Sequence, residues 1–354
     1  MRRRHFLAAS TAALLATPSW AEIGAPRYVT AAARPDKSTW IVGLDAGGTV
    51  LFSHPVPGRG HAAALHPDRA EAVTIARRPG TFADVVDCAT GKVLTRLQSP
   101  EERHFYGHGA FTADGRYLLT TENAWEIPDG RLGVWDAANG YARVDEIPSG
   151  GIGPHEMLRL PDGNFAIANG GIQTRPESER AKLNLPTMQS NLTYMSPEGE
   201  ILEQVAPEPA MRLNAIRHLA TDTAGGLAIG LQWQGNPLQQ VPLVATHRRG
   251  EALRLHDHPH TAMLKQYAGS IAFTRDRREI VVTGPFGDAV LFFDAATGAP
   301  LSARSLPVAA GAAVAPEGIA ITVAGGLQIG DSRGTRFVPV PGDWSWDNHL
   351  VPIG

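Results

Sequence analysis

The chain has 354 residues, of which 38 are glycine and 27 proline, so about 18 % of its positions are turn formers against roughly 12 % in an average protein. That punctuation excludes a helical bundle, while 43 % hydrophobic and 19 % charged residues exclude wholesale disorder. A formal charge of -3 argues against a nucleic-acid surface, and a single cysteine, Cys88, excludes a disulfide framework and any Cys-rich zinc or iron–sulfur site.

The first predicted element is an address. Met1-Arg2-Arg3-Arg4 is basic, Ala8 to Thr17 is mildly apolar, and that run is far shorter than the roughly 20 residues of a membrane span. Ser19 and Ala21 supply a small-x-small cleavage site, so residues 1–21 are expected to be a signal peptide, leaving no membrane anchor once it is removed. The run Arg3-Arg4-x-Phe6-Leu7 resembles the twin-arginine export signal, which implies passage of a folded chain into a bacterial periplasm. In that oxidising compartment Cys88, at the end of the alternation that starts at Phe82, reads as a buried core thiol.

From residue 22 to 354 the pattern is all-β: short alternating apolar runs recur between Gly, Pro, Asp and Asn, with no long helical stripe. Self-comparison gives a unit near 45 residues that contains a Pro-Asp-Gly-like turn and a third strand ending in Asp-x-x-x-Gly, the outline of a four-stranded propeller blade. Copies begin near His61, His108, His155, Arg217-His218, Ser270 and Gly311. The segments Tyr28 to Ala32, Trp40 to Asp45 and Val50 to Ser53 read as strands two to four of a blade lacking strand one, and Asp347 to Ile353 reads as that missing strand. The expectation is one domain, a seven-bladed β-propeller closed by a C-terminal strand joining three N-terminal ones, with six or eight blades as the alternatives.

The Asp-Ala-Ala-Thr-Gly motif (residues 294–298) and the Pro-Asp-Gly turns resemble the quinoprotein-amine-dehydrogenase-like superfamily of propellers. More narrowly, the twin-arginine leader, Gly-Pro-His-Glu-Met at 153–157 and Trp346-Asp347-Asn348-His349 resemble a bacterial domain-of-unknown-function family, number fifteen-thirteen. Members are often encoded near imelysin-like, iron-associated periplasmic proteins, which implies a periplasmic partner in iron uptake. The family pattern carries no established catalytic residue.

Thirteen histidines occur, and five of them, His61, His108, His155, His218 and His349, fall at or just before the start of a first strand. First strands line a propeller's channel, so these imidazoles are expected to converge at its mouth, with Glu156 beside His155 as an oxygen ligand. Imidazole suits iron or copper, and Asp347 and Asn348 beside His349 could ligate or orient the rings. The alternative is hydrated channel packing. His104 and the His256-Asp257-His258-Pro259-His260 run belong to loops on the same side.

A long insertion between Asn169 and Asn191 overhangs the mouth, where Arg175, Arg180 and Lys182 could meet an anion. Arg217, Trp125 and Trp233 join Arg175 as candidate ligand-binding residues. Three functions are expected to compete. One is a metal-linked periplasmic propeller. Another is an enzyme, in which His155 acts as nucleophile as in the sulfotransferase propellers it faintly resembles, or Glu156, Asn214 and Asn348 hold calcium as in lactonase-like ones. The third is a non-catalytic module that docks a protein.

Overall fold

A computed structural model describes residues 18–24, 26–127, 129–178 and 181–353. Seven four-stranded antiparallel sheets are arranged as the blades of a propeller. The innermost strands are Gly60–Leu65, Arg103–Phe111, Pro154–Arg159, Asn214–Thr221, Ser270–Phe273, Ala312–Ala315 and Ser345–Pro352, which define blades one to seven in that order. The leader residues 1–17 lie outside the described residues.

The burial of each strand follows its distance from the axis. Second strands such as Glu71–Ala76 and Leu227–Trp233 are buried along their whole length, because sheet packs on both their faces. Outermost strands such as Lys92–Gln98 alternate with solvent. Apolar clusters run between blades, the largest joining blades three, four and five around Tyr194, Ile229, Leu231 and Leu291. Cys88 belongs to the cluster between blades seven and one, and burial pushes its thiol up to about 12, as expected of an inert core cysteine.

Blade seven is composite. Ser345–Pro352 pairs with Tyr28–Ala33, which continues to Thr39–Leu44 and Val50–Val56, so the first and last strands close the ring in one sheet. Upstream of it, the short helix Trp20–Ile23 sits against blade one: the Trp20 indole donates to the His66 carbonyl at 2.7 Å, and Ala70 N donates to the Pro18 carbonyl. The cleavage point expected after Ala21 falls within this helix.

One irregularity recurs with a purpose. The pairing of first to second strand shifts register between Gly60 and Ala63, Phe105 and Gly109, Pro154 and Met157, and Ile216 and His218. In blade seven it shifts between Trp346 and Leu350. Four of these shifts enclose one of the five histidines and the one in blade four, which encloses Arg217, ends on His218, whereas the ladders of blades five and six run without a shift and their first strands have no histidine. An extra residue in one strand turns a side chain out of the regular pleat, so these bulges aim imidazoles at the axis. At Gly107, with φ +101°, a Cβ would lie 2.5 Å from the His61 ring, so only glycine lets the next blade approach.

Two threonines of the second strands clamp three of the bulges. Thr121 Oγ1 is placed to donate to the carbonyls of both His108 and His155, each at 3.1 Å, and Thr30 Oγ1 donates to that of His349 at 2.6 Å. Thr121 is fully buried, so Thr121→Val keeps the shape and removes the only donor it offers two backbone oxygens. The variant is expected to lose about 1–3 kcal/mol, seen as a lower urea midpoint at unchanged slope. An unchanged midpoint would show that the clamp contributes nothing.

Candidate metal centre

The five strand-one histidines meet on the axis. Ring centroids lie 4.4 Å apart for His108 and His349, 4.5 Å for His61 and His349, 4.8 Å for His108 and His155, and 4.9 Å for His155 and His218. All five side chains are buried. Two groups of ligand atoms, each within 4.8 Å of one another, share His108: His61 with His108 and His155, and His108 with Glu156, His218 and His349.

Neighbours orient several of the rings. His61 Nδ1 lies 2.5 Å from Asp347 Oδ1, and the other carboxylate oxygen accepts from Arg59 Nε at 2.5 Å. His155 Nδ1 donates to the Arg217 carbonyl at 3.1 Å. A ring that donates through Nδ1 presents Nε2 as a lone pair, the arrangement by which an outer hydrogen-bond partner prepares a histidine ligand. The buried Nε2 atoms of His61, His108 and His349 have no hydrogen-bond partner among the described residues. Glu156 accepts from Leu219 N at 3.2 Å and faces His218 Nδ1 at 3.2 Å.

Burial keeps the cluster uncharged. It holds His61, His108, His155 and His218 well below the usual imidazole range, with His349 next among the causes at His61, His108 and His218 and Arg217 next at His155. Burial lowers His349 to about 4 and raises Glu156 to about 8. At neutral pH the centre therefore comprises neutral imidazoles and a carboxyl that still carries its proton.

Asp347 and Asn348 take different roles from each other. Asp347 orients His61, while Asn348 Nδ2 donates to the Tyr267 hydroxyl at 2.9 Å. Asn214 Nδ2 donates to the Pro242 carbonyl. Arg217 and Trp233 line a pocket on the face above the rings. Arg175 instead lies 3.8 Å from Glu177, and Trp125 stacks on His104 at 5.6 Å; neither lines that pocket. Arg180 lies outside the described residues. Of the 256–260 run, His256 meets Thr246 Oγ1 and His258 packs on Phe293, so neither joins the axial group. Arg59 and the threonine clamps are the supporting residues that sequence reasoning missed. The recurrence of threonine in the second strands of blades one, two, five, six and seven is the signal that could have found the clamps.

A propeller whose axis is filled by imidazoles and a carboxyl, with ligand atoms converging from five blades, is a protein built around a polar axial site. The chain belongs to the family described as protein of unknown function (DUF1513), whose model matches residues 54–353. Among solved structures it is similar to Kuenenia stuttgartiensis hydrazine synthase, at 14 % identity and TM-score 0.54 over 74 % of this chain and 75 % of that one. It is also similar to a chain of a nidogen/laminin complex, at 13 % identity and TM-score 0.51 over 78 % of this chain and 93 % of that one. These likenesses are of fold. No curated protein matches the chain by sequence.

Glu156 makes the centre sensitive to pH. Its folded value, about 8, is above the 4.5 of a free carboxyl, so between them the native state binds more protons than the unfolded chain and stability falls as pH rises. Comparing metal-free wild type with Glu156→Gln isolates this contribution from the other titrating groups. From pH 6 to 7.5 the wild type is expected to lose about 2 kcal/mol relative to the variant in urea unfolding. A constant difference would mean that Glu156 titrates as an ordinary carboxyl.

Proposed function

We propose that this chain is an exported periplasmic propeller that binds iron or copper through its axial histidines and Glu156, as an accessory factor of iron handling beside a periplasmic partner. The observation that carries the reading is the convergence of buried imidazole nitrogens that have no hydrogen-bond partner among the described residues. A trapped water donates only two hydrogen bonds, whereas one transition-metal ion accepts four to six such ligands. Neutral imidazoles cost little charge repulsion on metal entry, and Glu156 supplies a negative charge once its proton leaves. The donor set contains no sulfur, and nitrogen with carboxylate suits Fe(II) and Cu(II). Export by the twin-arginine route, expected from the leader, agrees with a metal loaded before translocation.

The sulfotransferase-like or lactonase-like alternatives draw less support. His155 is buried with Nδ1 engaged, and the amides of Asn214 and Asn348 are committed to Pro242 and Tyr267.

Because both ligand groups contain His108, His108→Ala is the most informative variant. Elemental analysis of protein purified without chelator is expected to give near-stoichiometric iron or copper in wild type, and below a tenth of that in a folded His108→Ala protein. Titrating the metal into stripped protein at pH 7 in buffers of differing ionisation enthalpy should release about one proton per ion, and Glu156→Gln should abolish that release. Wild type that neither retains nor takes up iron or copper would overturn the proposal, as would equal metal content in the variant.

A further inference from the structure

The pocket above the rings has a composition that the metal reading does not use. Five of its lining residues, Arg77, Arg78, Lys182, Arg217 and Lys265, are cationic, and among the described residues no carboxylate lines it. They come from separate loops of blades one, three and four and from the start of blade four's first strand, so the face gathers positive charge from several blades. The cavity measures about 250 Å³, enough for a small organic anion.

Arg217 is the residue that demands an explanation. It is 9 % exposed, its Nε is buried without a partner, and its guanidinium makes no hydrogen bond or ion pair among the described residues. A buried guanidinium is costly unless an anion faces it, and proteins ordinarily supply a carboxylate. Here the neighbouring charges are of like sign. Burial and the nearby Arg78 lower Arg217 to about 10, and burial, Arg217 and Arg78 depress Lys182. The backbone beneath it is held in place, because the Arg217 carbonyl accepts from His155 Nδ1 and Gly170 packs against its side chain, where a Cβ would lie 2.9 Å from Nη1.

We propose that this pocket binds a small anion carrying two or more oxyanion groups, carboxylate or phosphate, with Arg217 as its central contact and Arg77, Lys182 and Lys265 around it. A planar guanidinium binds either oxyanion through two parallel hydrogen bonds, and the lysines add charge without fixing geometry. The hydroxyls of Tyr106 and Tyr267, which line the same pocket, supply neutral donors. Bound there, the anion lies next to the histidine cluster, since Gln232 lines the pocket and its Nε2 is 3.5 Å from His218 Nε2. The site does not depend on a metal.

The test is calorimetric titration of citrate, and separately of inorganic phosphate, into protein freed of metal and of chelator by dialysis, with Trp233 fluorescence as a second readout. At least one anion is expected to bind one-to-one with a dissociation constant below 1 mM, weakening several-fold between 20 and 200 mM NaCl. Citrate favoured over phosphate would identify a carboxylate site, and the reverse a phosphate site. Arg217→Met is expected to weaken binding at least tenfold while unfolding at the same or a higher urea concentration, because an unpaired buried charge is removed. If that variant does not fold, Lys182→Ala and Lys265→Ala, both at exposed positions, must each weaken binding two- to fivefold. Binding of neither anion at 10 mM, or unchanged binding in the folded variants, overturns the proposal. Since metal-free protein is used, failure here leaves the metal reading intact, and failure to bind metal leaves this one intact.

Discussion

The pairing of Ser345–Pro352 with Tyr28–Ala33 is the contact on which both architecture and site depend. It gives the last strand and the first three strands one common sheet, and so converts a row of repeats into a closed ring. The same strand brings Asp347 to His61 and inserts His349 among the other imidazoles. Without the closure His61 would lose the carboxylate that orients it, and the cluster would lose the ring that lies within 5.0 Å of His61, His108 and His218 alike. Ring closure and site assembly are one event.

A symmetric array has been made asymmetric at its centre. Five blades bulge their first strand and point a histidine inward; blades five and six keep regular ladders and small residues such as Ser270, Ala272, Ala312 and Ala313. Five rings, with neighbouring centroids 4.4 to 6.4 Å apart, already occupy the axis, and a sixth and seventh would overfill it. The two plain blades leave space for an open channel below the rings, lined by alanines and reaching His108, Glu156 and His349.

Most of this was legible in the sequence because repeats impose equivalence. Once a unit near 45 residues is recognised, a histidine at the start of one first strand has the same radial position as one at the start of another, so His61, His155 and His349 can be grouped although 288 positions of chain separate His61 from His349. The unfilled strand one at the N-terminus and the unpaired strand at the C-terminus likewise identified each other. What repeat logic could not supply is side-chain direction in the connecting loops. Arg175 and Lys182 sit in the same insertion, yet of the two only Lys182 lines the pocket above the rings. Trp125 follows the second strand of blade two and Trp233 ends that of blade four, yet one stacks on His104 and the other lines the pocket. Arg59, Arg77 and Arg78 carry no motif, and their importance comes from neighbours distant in sequence, such as Asp347 for Arg59.

Charge distribution along the axis gives the two halves of the centre distinct chemistry. Below and within the ring, burial strips charge from the imidazoles and keeps a proton on Glu156, a neutral lining that a cation can enter by displacing that proton. Above it, arginines and lysines collect without a compensating carboxylate among the described residues. A cation approaching from that upper face would meet repulsion from Arg77 and Arg217, the same charges that help depress the histidines. The lower channel presents a smaller barrier, since among the described residues Arg277 alone of the arginines and lysines lines it. A metal ion bound as proposed would therefore meet less repulsion from the channel side, and an anion held above would lower the positive field at the rings. The proposed cation and anion sites oppose each other in charge across the imidazole layer, so occupancy of each would favour occupancy of the other.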